Sequence, residues 1–185
     1  MKLSVFKRAA GSKGEVKRIR REGNIPGVLY GHKQEVQSIT VKGEEMQTIL
    51  RNLKPGLLPT TIFDLHEGSH HFRAVIKDIH YHPTSYAILH LDFVILDAHT
   101  PVTLNVPIQI LGTAECPGIK LGGFRRQVIR NLKVRCLPKD IPQEFTVDIS
   151  DLQIAGAKRL SDIAIPSAVK PLAAMSEVVV VIAKR

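Results

Sequence analysis

Two short runs place reactive side chains at a spacing that could do chemistry. In Leu89-His90-Leu91-Asp92-Phe93 an imidazole and a carboxylate alternate with apolar residues. In Asp78-Ile79-His80-Tyr81-His82 a carboxylate and two imidazoles recur at the same period of two. Alternate side chains of an extended chain share a face. Leu89, Leu91 and Phe93 therefore make a core row, while His90 and Asp92 stand side by side on the open face. Asp78, His80 and His82 follow the same rule. Two chemistries suit such a face. His-X-His with His-X-Asp supplies zinc-type ligands, which would make a metal-binding or metal-dependent stress protein built on His80, His82 and His90. The same groups can also hydrogen-bond to sugar hydroxyls and base edges in the shallow minor groove of RNA. The charge of the chain favours the RNA reading, with no metal.

A third run, Lys13–Gly31 (KGEVKRIRREGNIPGVLYG), joins a basic helix to a shaped turn. Its cations are Lys13, Lys17, Arg18, Arg20 and Arg21, with Arg8 just upstream. Acids are sparse here, so these charges read as unpaired and free for phosphate. Arginine outnumbers lysine, as suits bidentate phosphate contact. Glycines beside the helix allow a backbone to come close. Tyr30 supplies a flat ring for stacking or sugar contact; a half-buried core tyrosine is the plainer alternative. A solvated helix face is the plain alternative for the charges themselves.

Nucleophilic catalysis has little to stand on. Cys116 precedes Pro117, and no G-x-S-x-G, P-loop or G-x-G-x-x-G run occurs. Asp148 and Asp151 read as strand-end and turn residues, and Lys120–Gly123 as a turn. The expectation is a protein without catalytic residues, cofactor or small-molecule substrate.

Composition bounds the partners. The chain has 185 residues, 44% hydrophobic and 23% charged, with a formal net charge of +9. Such a balance fits a folded chain of one large or two small domains and points to acidic partners: RNA, DNA or an anionic membrane surface. The charge is clustered. Residues 1–33 hold nine Lys/Arg against Glu15 and Glu22, and 120–139 hold seven Lys/Arg and no acid. With no Trp and 5% aromatics the cores should be aliphatic. Cys116 and Cys136 read as two reduced thiols in a cytosolic protein. The longest wholly apolar run, Val178–Ala183, is far below the roughly 20 residues of a membrane span, and the N-terminus lacks the apolar core of a secretory signal.

The elements that must carry these groups follow from periodicity. Leu3–Phe6 reads as a first strand, Gly11 and Gly14 as a loop, and Glu15–Arg21 as a helix with Val16 and Ile19 on its apolar edge, ended by Gly23-Asn24. Pro26-Gly27 reads as a turn and Val28–Tyr30 as a short extended piece. Val36–Val41 reads as a strand and Gly43–Asn52 as a helix. Three strands follow, Thr60–Leu65, His71–Ile79 and Tyr86–Leu96, with turns at Glu67-Gly68-Ser69 and Pro83-Thr84-Ser85. After Pro101 the pattern is β-runs between Pro/Gly turns: Val102–Leu111, Arg126–Cys136, Glu144–Ile149 and Glu177–Ala183. All eight histidines precede that point, so the chain divides near residues 95–101.

At RREGNIPGVLYG together with KDIHYHP and LHLDF, the sequence resembles the bacterial large-subunit ribosomal proteins that bind 5S rRNA, the family that includes general stress protein Ctc. VPIQILG, PGIKLGG, CLPKDIPQEFTVDIS and the terminal VVVVIA resemble its longer, two-domain form. The resemblance implies a mainly β protein: an N-terminal β-barrel with a few short helices over residues 1–97, binding 5S rRNA, and a second all-β domain over 98–185. It implies a cytoplasmic, ribosome-associated structural protein without enzymatic activity or membrane partner. Its partners would be 5S rRNA, the large subunit and, through the C-terminal domain, neighbouring ribosomal proteins. Arg8, Lys13, Arg18, Arg20 and Arg21 fall at its basic contacts, and Tyr30, Lys77, His90 and Asp92 at its other RNA-facing positions; Lys17 joins these RNA-binding candidates by its place on the basic helix. Lys77 stands where some relatives carry Gln, and Ala155–Arg159 departs from the family's usual acidic turn.

Overall fold

Alternation at period two produces the strands of the first half. The computed structural model describes residues 1–8, 12–31, 34–68 and 70–184, and in it these strands close into a barrel. Gly11 of the expected loop and Ser69 of the expected hairpin turn lie outside the described residues. The elements of this unit are β1 (Lys2–Lys7), α1 (Lys13–Arg21), β2 (Ile25–Gly31), β3 (Gln34–Val41), α2 (Gly43–Asn52), β4 (Ile62–Glu67), β5 (His70–Tyr81) and β6 (Ile88–Ile95). A 3-10 turn covers Leu58–Thr60, where the strand was expected to start. Pro59 in its first turn suits a helical start and not a strand.

The barrel runs β1-β3-β2-β6-β5-β4 and closes through a parallel β4–β1 pairing. Closure removes the exposed strand edges that would otherwise pair with other chains. Leu3, Val5, Leu29, Ile39, Val41, Leu65, Ala74, Ile76 and Leu91 fill the interior. At its centre Phe63 and Phe93 meet edge to face, with centroids 6.1 Å apart. The core is thus aliphatic around one aromatic pair, which corrects the purely aliphatic expectation. Met46 of α2 is fully buried in the same core.

Pro26 and Gly27 do not make a turn. Both lie within β2, opposite Thr40 and Ile39 of β3. The pairing of β2 with β6 begins only at Gly27, opposite Leu91. Proline is tolerated at Pro26 because that residue has no β6 ladder partner for a missing N–H to leave unpaired. Gly27 answers a different demand. A β-carbon there would stand 2.7 Å from the Leu91 carbonyl oxygen, so the two parallel strands meet closely only without a side chain.

Helix α1 ends by the expected mechanism. Gly23, at φ +79°, donates to the Arg20 carbonyl and Asn24 donates to that of Ile19. This is the paired hydrogen-bond pattern of a left-handed glycine cap. The cap packs against the start of α2, where any β-carbon on Gly43 would collide with the Gly23 carbonyl oxygen.

The second compact unit, Pro101–Arg185, is all β apart from short helical turns. Its elements are β7 (Val102–Leu111), α3 (Pro117–Lys120), β8 (Phe124–Gln127), β9 (Asn131–Cys136), β10 (Phe145–Asp148), β11 (Ala157–Arg159), β12 (Lys170–Pro171) and β13 (Val178–Ala183). They form one sheet in the order β10-β7-β9-β12 and another in the order β11-β13-β8. The single strand expected over Arg126–Cys136 is two strands in two sheets. Val128 and Ile129 both donate to the Val179 carbonyl, and the chain leaves one sheet there for the other. Cys116 and Cys136 are free and buried; the Cys116 thiol donates to the Leu152 carbonyl. The turn through Ala155 places that residue at φ +67°.

Candidate nucleic-acid interface

The outer face of β2, β6 and β5 carries the polar residues that alternate with the core. His90 and Asp92 stand on it as the period requires, and His90 Nδ1 donates to Asp92 Oδ1 at 2.8 Å. A carboxylate only accepts, so the bond places a proton on Nδ1 and leaves Nε2 as the ring nitrogen that can meet a partner. The next strand repeats the arrangement. Asp78 lies opposite Asp92 and His80 opposite His90, with His80 Nε2 3.5 Å from Asp78 Oδ2. The two imidazoles are 5.8 Å apart.

A β-bulge sets the far end of this face. The inward residues of β5 run Phe72, Ala74, Ile76 and then Ile79, and the register slips between Ile76 and Asp78. The extra residue leaves Lys77 and Asp78 both exposed, so two outward side chains oppose one position of β6. Lys77 Nζ then sits 5.7 Å from the centre of the Tyr30 ring, within cation–π reach. Tyr30, on β2 opposite Val94, is half-buried on the outer face, while its neighbour Leu29 fills the core. Burial raises the Tyr30 phenol above 10.0, helped by the charges of Asp92 and Asp78. The hydroxyl therefore stays a neutral donor at physiological pH.

Helix α1 docks beside the His90 end. Ile19 is its buried anchor. Arg20 supplies a second: Nε and Nη2 both donate to the Leu89 carbonyl, at 3.1 and 3.0 Å. Arg18 pairs with Glu22 at 3.6 Å. The reading of the helix charges as unpaired is corrected for these two. The distances decide it: Glu22 lies one turn from Arg18, and the chain fold carries the Leu89 carbonyl to Arg20. Among the described residues Lys13, Lys17 and Arg21 make no ion pair. Spaced four apart, they form a row about 12 Å long at 1.5 Å per residue.

The structure thus brings together Tyr30, Lys77, His90 and Asp92, with α1 and its cations alongside through Arg20. Arg8 lies elsewhere on the barrel. Its Nε donates to the Ile39 carbonyl at 3.2 Å and its N–H to that of Ser38, which binds it to β3. His82 also leaves the face. It sits beyond β5, where Nδ1 accepts the N–H groups of Thr84 and Ser85 at 3.4 and 3.3 Å. His80, His82 and His90 therefore do not converge on a metal, and among the described residues no three His, Cys, Asp or Glu side chains do. Sequence reasoning missed the Lys77–Tyr30 contact, although the apolar spacing of two, two and three along β5 announced the bulge. The Arg20–Leu89 bond left no sequence signal.

In the second unit the basic run of 120–139 is divided. Arg125 and Arg126 lie on β8, and Lys133 and Arg135 on the exposed side of β9, in different sheets.

Comparison with known proteins agrees with this architecture. Residues 3–93 match the family described as "Ribosomal L25p family", and residues 101–185 match "Ribosomal protein TL5, C-terminal domain". Over 185 residues, all of both chains, the sequence is 40% identical to "Large ribosomal subunit protein bL25" of Chlamydia trachomatis serovar L2. It is 39% identical to the protein of that name from Chlamydia muridarum and 38% to that from Chlamydia pneumoniae, again over the full length of both.

Proposed function

The chain belongs to the ribosomal L25p family, and on that premise we propose that it binds 5S rRNA through the outer face of its N-terminal barrel. It is a non-catalytic structural protein of the large ribosomal subunit, in the cytoplasm. The observation that carries the proposal is the juxtaposition of charge with shaped polar groups. The row Lys13–Lys17–Arg21 supplies attraction to phosphate, which dominates affinity but reads no sequence. Register comes from the strand face beside it. Nε2 of His90, oriented by Asp92, meets a ribose 2′-hydroxyl, which both donates and accepts, and the neutral Tyr30 phenol donates to RNA oxygens. RNA duplexes are read from the shallow minor groove, where sugar hydroxyls and base edges are within reach of short side chains on a sheet. Residues 1–97 form the 5S rRNA-binding domain in this proposal, and residues 98–185 meet neighbouring ribosomal components.

The test is filter binding of the full chain and of a chain ending at Thr100 to 5S rRNA, with unrelated duplex RNA as competitor at moderate salt. Both should prefer 5S rRNA. Equal affinity of the full chain for the two RNAs would leave only a general polyanion binder. Loss of preference in the shorter chain alone would move part of the site to the second unit.

A further inference from the structure

At the other side of α1 a groove of about 400 Å³ opens between α2, the cap of α1 and the β5–β6 connection. Leu50, Ile88 and Leu89 give it apolar surface, Tyr81 and Tyr86 give it rings, and Arg20 closes an edge. The uncovered surface is conspicuous. Tyr81 is 48% exposed, Tyr86 77%, and Leu50, on a helix whose Met46 is fully buried, 38%. Tyr86 has φ +55°, a left-handed conformation that bulky residues rarely adopt and that collects at ligand sites. The connection enforces it. Tyr86 donates to the His82 carbonyl at 3.0 Å and His82 to that of Ala87 at 2.8 Å, while the His82 ring takes the Thr84 and Ser85 N–H groups.

We infer that this groove holds a single unpaired base of the bound RNA, stacked on Tyr86 and Tyr81. Stacking on aromatic rings is how proteins take bases that have left the helix. The size fits: the volume lies at the small end of the roughly 300–1,000 Å³ of small-molecule pockets, enough for one base. Charge fits as well, because the cations of α1 continue from Arg20. The groove adjoins the basic helix of the proposed RNA face, since Arg20 of α1 lines it and bonds to the carbonyl of Leu89, which lines it too. The Gln47 side chain at the groove offers amide groups for a base edge. The inference rests on the RNA-binding reading above, and its test separates the two.

The chain has three tyrosines and no tryptophan, so its ultraviolet emission comes from tyrosine, and two of the three line the groove. The full chain and its Tyr86→Ala, Tyr86→Phe and Tyr81→Ala variants are titrated with 5S rRNA and with a mixed-sequence single-stranded hexaribonucleotide. Emission and filter binding are followed together. Tyr86→Ala should weaken 5S rRNA binding roughly 5- to 150-fold, the range for loss of one stacked base, with an unchanged salt slope, and Tyr86→Phe should retain most of the affinity. Photo-crosslinking of the wild-type complex should label Tyr81 or Tyr86. If Tyr86→Ala melts early, the same readings are taken from Tyr81→Ala. Wild-type affinity in a folded variant, with neither tyrosine crosslinked, overturns the inference while leaving 5S rRNA binding intact. A wild-type chain that ignores 5S rRNA but whose emission is quenched by the hexamer, with the quench lost in Tyr86→Ala, keeps the groove and overturns the 5S reading. Quenching by neither RNA overturns the groove.

Discussion

Replacing Arg20 with alanine separates charge from architecture at the interface. The substitution removes two bonds, 3.1 and 3.0 Å long, that tie the last turn of α1 to the Leu89 carbonyl. A hydrogen bond to a charged group contributes about 1.5–3 kcal/mol when shielded. This side chain is exposed, so a figure of about 1.4 kcal/mol is appropriate for the pair. Ile19 and the glycine cap still hold the helix, so the loss appears as a smaller docked population. Apparent affinity falls by that fraction, which caps the loss at about tenfold. The salt dependence should hardly change, because the guanidinium is committed to a protein carbonyl. Arg21→Ala is the contrast. It should flatten the plot of log K against log salt by about 0.7–0.9 if it releases one phosphate contact, and leave the melting temperature alone. Filter binding to 5S rRNA between about 50 and 200 mM salt, with circular dichroism melting of each variant, reads both effects. A slope flattened by nearly one unit in Arg20→Ala, with unchanged melting, would refute the positioning role and make Arg20 a phosphate ligand.

Two further outcomes probe the sheet beneath the site. Gly27→Ala forces a β-carbon to 2.7 Å from the Leu91 carbonyl oxygen, so β2 and β6 must part; denaturant unfolding should show a loss of about 1–3 kcal/mol, and an unchanged midpoint would mean that the pair relaxes freely. Asp92→Asn should lower the Tyr30 pKa but leave it above 10.0, because burial is the larger cause and Asp78 remains. The sign follows from the raised value: the phenol's contribution to stability is complete below the unfolded pKa and is lost as pH rises through the folded one. Alkaline absorbance titration in a Tyr81→Phe, Tyr86→Phe background isolates Tyr30, and identical titrations with and without the Asp92→Asn substitution would show that the carboxylate does not reach the ring. The same substitution should weaken 5S rRNA binding with no change of salt slope, since it replaces the carboxylate that orients His90 by an uncharged amide and removes no cation.

The alternation of His90 and Asp92 with Leu91 and Phe93 determined by itself which of these side chains leave the core, because an unbulged strand has a period of two; Leu89, expected in the same row, lines the groove at the end of β6 instead, and Ile88 packs on the core. In the same way the apolar edge of α1 and the glycine after it determined a helix and its end from local rules. Pairing partners were not local. Pro26-Gly27 read as a turn because proline and glycine usually punctuate the chain; only the parallel approach of β6 shows that the glycine is there to let two backbones meet. The basic run of 120–139 was divided by a kink whose hydrogen-bond acceptor, Val179, lies about 50 residues further on. At the site the sequence supplied the residue types, and the tertiary structure decided which of them work together. It set Lys77 over Tyr30 by a bulge, placed a second histidine–aspartate pair beside the first, and took His82 into a turn. Arg20, read from the sequence as a free charge, became an anchor because the Leu89 carbonyl, 69 residues away, arrives within its reach only when the barrel is closed.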